Sequence, residues 1–165
     1  MERDRFIQLI QAEQISLRNY LLGLCRGDSV EADDIFQEAM TRAYLASPSF
    51  FERARPGAWL LRICYNCFID HIRSSKHHDT YGLEMAENVP DKRTADESFR
   101  FEAIWQAVCN LPEKERSCIL LFYKEDLSIK DISSIMGIPI GSVKAYLSRG
   151  RRILKEYLKN DQTKG

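Results

Sequence analysis

The feature that most constrains this chain is an apolar period of three and four residues running through nearly all of its length, with no stretch of strict alternation. Residues at that spacing share one face of a helix, whereas a half-buried strand needs a period of two. Glycine and proline, which would interrupt the pattern, number only 8 and 5 in 165 residues. The chain is therefore expected to be all-α, with helices over 3–25, 30–46, 57–74, 97–110, 113–124, 128–136 and 140–158. At 44% hydrophobic residues it can fill a folded core and does not resemble a disordered tail. The period fails between His77 and Asp96, a polar stretch holding Gly82 and Pro90. Two small helical domains, 1–75 and 101–165, joined by a flexible linker over 76–100, are the expected organisation.

Charge adds a second constraint. The 24 Lys+Arg are balanced by 24 Asp+Glu, which argues against a generally basic nucleic-acid coater. The balance is not local, however. Residues 1–75 carry 9 basic and 10 acidic side chains, 76–100 carry 4 and 6, and 101–165 carry 11 and 8. Asp28 to Glu38 holds five acids and no base, while Lys144 to Lys159 holds six bases against Glu156 alone. Neutrality is thus the sum of two opposite patches, which suggests two different partners. No segment has the run of about 18 apolar residues a membrane span requires, and the charged N-terminus lacks a signal-peptide core, so a cytoplasmic protein without stable membrane insertion is expected. Five cysteines at scattered positions (25, 64, 67, 109, 118) fit reduced thiols better than a disulfide framework.

The strongest local pattern is C-terminal. Pro112 at a first helical position, followed by Glu113 and Glu115, marks a helix start, because acids there complement the helix dipole. Ser128 with Asp131 three residues on forms a capping-box-like start for the next helix, and Gly137 ends it. Ile138-Pro139 then leads into a longer helix, the arrangement of a helix-turn-helix. On a wheel of 140–158, Ile140, Val143, Tyr146, Leu147, Ile153, Leu154, Tyr157 and Leu158 fill an arc of about 140°. Ser142, Lys144, Ala145, Ser148, Arg149, Arg152, Lys155 and Lys159 fill the other side, a basic face with small residues where a backbone could approach base edges. On the 57–74 wheel, Trp59, Arg62, Asn66, Asp70 and Arg73 share an arc of about 80° opposite Leu60, Leu61, Cys64, Cys67, Phe68 and Ile72. That stripe can stack and hydrogen-bond unpaired bases; alternatively, Trp59 caps the helix bundle as a core residue.

With these residues in view, LPEKERSCILLFYKEDLSIKDISSIMGIPIGSVKAYLSRGRRILKEYL resembles the promoter-reading domain of extracytoplasmic-function sigma factors, the smallest bacterial sigma factors. EADDIFQEAMTRAY is similar to their polymerase-binding helix, and PGAWLLRICYNCFIDHIRS to their strand-opening and minus-10-reading helices. The resemblance implies a subunit that binds core RNA polymerase, directs promoter-specific initiation on promoter DNA and is held in check by an anti-sigma factor. It implies core contacts by Asp33, Asp34, Gln37, Glu38, Thr41 and Arg42, where acids suit a basic protein partner and cannot favour phosphate. For the minus-10 element it implies Phe50, Phe51, Arg53, Trp59, Arg62, Asn66, Asp70 and Arg73. For the minus-35 element it implies Ser142, Lys144, Ala145, Ser148, Arg149, Arg151 and Arg152, with Lys144 and Arg149 as readers of guanine. The chain departs from the family pattern at Pro139 and Tyr146 and in the loop from Ser47 to Pro56, which carries an added proline and two arginines. An acidic linker is compatible with either a nucleic-acid mimic or a plain solvated tether.

Rival readings have less support. Cys64-x-x-Cys67 with His71 could be drawn as a metal or redox site, but the cysteines fall among apolar residues, so small buried hydrophobes and no metal are expected. There is no Gly-rich phosphate loop and no nucleophile with a histidine partner, so neither an enzyme nor a cofactor is expected. The alternative is a helix-turn-helix regulator that binds duplex DNA without serving as a polymerase subunit. Such a protein needs neither the acidic helix nor the aromatic stripe.

Overall fold

The computed structural model describes residues 1–50, 55–75 and 95–163, with side chains for 1–50, 55–75 and 101–160. Among them there is no strand. The N-terminal half contains α1 (Arg3–Leu24), α2 (Ser29–Ala46), a 3-10 turn (Ser47–Ser49) and α3 (Pro56–Ser75). The C-terminal half contains α4 (Ala95–Cys109), α5 (Glu113–Ile119), a π-helical turn (Leu120–Lys124), α6 (Ile129–Met136) and α7 (Ile140–Thr163). These bounds follow the apolar period closely, because each helix has one face to bury. The helix expected from 97 begins at Ala95, two residues earlier.

Local chemistry sets the turns. Between α1 and α2 the chain reverses through Arg26 (φ 59°) and Gly27 (φ 86°). The Asp28 carboxylate then accepts the Glu31 N–H at 3.1 Å, satisfying one of the unpaired donors at the start of α2. Ser128 does the same for Asp131 at 3.1 Å, and Gly137, left-handed at φ 65°, closes α6. The helix expected over 113–124 has the right extent but not one winding. Its last five residues form a π turn, in which Leu120 and Leu121 are buried while Tyr123 and Lys124 face outward.

Leu17, Tyr20, Leu21 and Leu24 of α1 pack with Ile35, Phe36 and Ala39 of α2 and with Leu60, Cys64 and Phe68 of α3. Cys118 and Ile119 of α5, Ile132 of α6, and Val143 and Leu147 of α7 belong to the same continuous core, so the two halves are joined and not merely tethered. One expected placement needs correction. Ile140, assigned to the buried face, is 45% exposed because it is the first residue of α7, while Gly150 further along is buried. Trp59, read either as part of the outward stripe or as a cap on the bundle, is half-buried and packs against the core, with the Phe50 ring on it at a centroid distance of 4.7 Å.

Candidate polymerase and promoter interfaces

Asp33, Asp34, Gln37, Glu38 and Thr41 all lie on exposed positions of α2. Asp33 is held by Arg18 of α1 at 2.8 Å, and the same guanidinium covers the Phe36 ring at 3.9 Å. Arg42 bonds Glu38 one turn back and reaches Asp70 of α3 at 2.7 Å. Its charge is thus engaged within the molecule. Thr41 donates its hydroxyl to the Gln37 carbonyl at 3.0 Å. The outward surface of α2 therefore carries Asp33 and Glu38, each paired with an arginine, with Asp34, Gln37 and Thr41 exposed beside them.

On α3, Arg62, Asn66, Asp70 and Arg73 are exposed along one side, as the wheel predicts. Asp70 is paired with Arg42, which links α3 to α2 at the surface. The Phe50–Trp59 pair stands at the start of this stripe; Phe51 and Arg53 lie outside the described residues. Cys64 and Cys67 are buried in the core, and burial pushes both thiols up, Cys67 to about 11. His71 pairs with Glu31 at 3.2 Å, and burial raises the Glu31 carboxyl although His71 opposes that rise. Among the described residues no cluster of His, Cys, Asp and Glu suits a metal ion.

Lys144, Ala145, Ser148, Arg149 and Arg152 are exposed on the outer side of α7, Arg151 is exposed at its flank, and Ser142 is half-buried. Two of the arginines have internal partners. Arg149 donates to Glu115 of α5 at 2.9 Å. Arg151 donates to the Tyr123 hydroxyl at 2.6 Å and lies against the rings of Phe122 and Tyr123 at 5.4 and 5.6 Å. Lys144, Ala145 and Ser148 form the open stretch between them, narrow enough in side-chain bulk for a helix backbone to approach a groove. The partners Glu115 and Tyr123 escape the sequence patterns because they come from another helix; a buried acid in a first turn looks, in sequence, like any dipole-compensating one.

The fold thus joins two helical halves, one carrying an acidic helix and the other ending in a helix-turn-helix. The chain matches the family described as Sigma-70 region 2 over residues 9–78 and the family described as Sigma-70, region 4 over residues 101–154. It is 35% identical over 147 residues to the ECF RNA polymerase sigma factor SigW of Bacillus subtilis, covering 81% of this chain and 79% of that protein. To the ECF RNA polymerase sigma factor SigM of Mycobacterium tuberculosis it is 32% identical over 157 residues, covering 95% and 79%. Among solved structures, the sigma factor RpoE of Bartonella quintana in complex with the anti-sigma factor NepR superimposes with a TM-score of 0.81 at 25% identity, over 94% of this chain and 97% of that one. CnrH in complex with the cytosolic domain of CnrY shares the fold, with a TM-score of 0.71 at 20% identity over 97% and 91%. The chain belongs to the extracytoplasmic-function group of the sigma-70 family of RNA polymerase sigma factors. A regulator sharing only the helix-turn-helix would match in the C-terminal half alone. No helix among the described residues is long and apolar enough to cross a membrane.

Proposed function

We propose that this chain works in the cytoplasm as a non-enzymatic, dissociable subunit of RNA polymerase, with its interfaces divided between its two halves. Residues 1–75 bind core polymerase through the acidic surface of α2, and they open and read the minus-10 element along α3. Residues 101–165 read the minus-35 element through α7. The single observation that carries this reading is the opposition of two exposed faces: the acidic surface of α2 and the basic, small-residue face of α7. In this reading the acids orient the protein on a basic partner, and Lys144 and Arg149 donate to guanine N7 and O6 in a major groove. By likeness to the Bartonella quintana complex, an anti-sigma protein controls access to these faces.

The test is reconstitution with bacterial core polymerase and linear promoter DNA. The chain is expected to confer promoter-dependent initiation that core polymerase alone lacks. Lys144→Glu is expected to abolish that initiation while leaving association with core polymerase near normal. Equal loss of both would overturn the division between the halves, and duplex binding without initiation would overturn the polymerase-subunit reading.

A further inference from the structure

A groove of about 410 Å³ opens between α1, α4 and the π turn, within the size range of small-ligand sites. Val108, Ile119 and Leu120, all buried, form its floor, where no side chain offers a donor or an acceptor. Trp105 makes a wall, and Ile104 and Tyr123, 49% and 56% exposed, stand at the rim. On α1, Asn19 lines the groove, and Ile15 one turn earlier is 71% exposed and continues the apolar surface along the helix. Packing fixes these walls without a ligand. Gly23 of α1 is buried where a Cβ would lie 2.7 Å from Leu120 Cδ1, so α1 and the π turn approach more closely than side chains normally allow. The buried hydroxyls of Tyr20 and Ser117 meet at 2.8 Å, and Ser16 donates to Glu125 at 2.5 Å.

Among the described residues that line the groove, Lys124 alone is charged. Its ammonium lies 5.7 Å from the centroid of the Trp105 ring. The apolar surroundings desolvate it and lower its pKa, although Glu125 opposes the shift. Glu125 is itself engaged by Ser16, and no described carboxylate forms an ion pair with Lys124. We propose that this groove is a binding site for a free medium-chain fatty acid, its hydrocarbon lying on Val108, Ile119 and Leu120 and its carboxylate meeting Lys124. Only hydrocarbon can cover the floor without leaving a ligand polar group unpaired. A single ammonium at the edge matches a single negative charge, whereas a phosphate dianion would call for a second cation that the lining lacks. The site does not depend on the promoter-reading function proposed above.

The test is calorimetric titration of the full-length chain with sodium hexanoate, octanoate and decanoate, each below its micellar concentration. One saturable site is expected, tightening about fourfold with each methylene that enters the groove. Lys124→Met keeps an apolar stem and removes the charge, so it is expected to weaken octanoate about fivefold and to leave octan-1-ol unchanged. Ile104→Glu sets a second carboxylate beside the ligand's own and is expected to weaken octanoate by at least about fivefold. Both positions are exposed, so circular dichroism is expected to show full helix content in each variant. Absence of saturable decanoate binding at millimolar concentration would overturn the site. Binding that neither substitution moves would place the acids elsewhere, as detergents, and would overturn it equally. If Lys124→Met weakens octanol as much as octanoate, the carboxylate contact fails and the fatty-acid assignment with it.

Discussion

Glu115 occupies the first turn of α5, where any carboxylate is favourable, yet its side chain is only 4% exposed because Arg149 reaches it across the α5–α7 packing. The pair fixes one edge of a guanidinium that is itself half exposed, and so orients it toward whatever α7 meets. Glu115→Ala is expected to destabilise the protein by about 1–3 kcal/mol in urea unfolding and to weaken minus-35 binding by the holoenzyme. A stability loss without any loss of promoter affinity would show the pair to be purely structural. Asp28 is a simpler case. Its cap on α2 is exposed and local, so Asp28→Ala is expected to cost about 1 kcal/mol, read by thermal unfolding, with promoter selectivity unchanged.

Helices place these residues, and α7 shows how. Val143 and Leu147 are anchored in the core, and Gly150 lets α7 touch α5, where an added Cβ would lie 2.9 Å from Ile119 Cγ1. Leucine at 150 would favour the helix itself by nearly 1 kcal/mol relative to glycine, but it has no space. Gly150→Leu is therefore expected to lower stability by about 1–3 kcal/mol and to impair promoter-dependent initiation by displacing the whole basic face. The opposite sign in a melting experiment would mean that α7 can slide without loss. The π turn has a related role: by widening the backbone it presents Tyr123 to Arg151, which ties the middle of α7 to the end of α5.

Across the whole molecule, zero net charge arises from separated patches, so the isolated chain should bind promoter DNA weakly at physiological salt and gain affinity within the holoenzyme. Tight binding by the chain alone, measured by fluorescence anisotropy, would contradict this. The contact between Ser16 of α1 and Glu125, just after the π turn, also carries a pH dependence. Burial holds the Glu125 carboxyl above its ordinary range, aided by Glu13 and Asp126, while its bond to Ser16 and nearby Lys124 oppose the rise. A carboxyl raised in the folded state costs stability when ionised, and that cost is relieved as pH falls through its folded pKa. Stability is thus expected to rise as pH falls through this raised pKa in the wild type and to be flatter with pH in Glu125→Gln, as followed by unfolding midpoints. Equal slopes for the two proteins would remove Glu125 from the pH dependence of folding.

The helices, the caps of α6 at Ser128 and Gly137, the helix-turn-helix and the two charged faces were legible in the sequence because each depends on neighbours within a few residues, through period, capping and dipole. Gly23 and Gly150 gave only a faint signal, as glycines inside helices where alanine would propagate better. What the tertiary structure alone decided is which groups meet across elements: Arg149 with Glu115, Arg42 with Asp70, Tyr20 with Ser117 and α1 with Leu120. No periodicity encodes these, since partners 28 to 97 residues apart are chosen by how closely helix faces can pack. The sequence by itself determined the helices and the faces they present; long-range packing determined that the two halves close on one another.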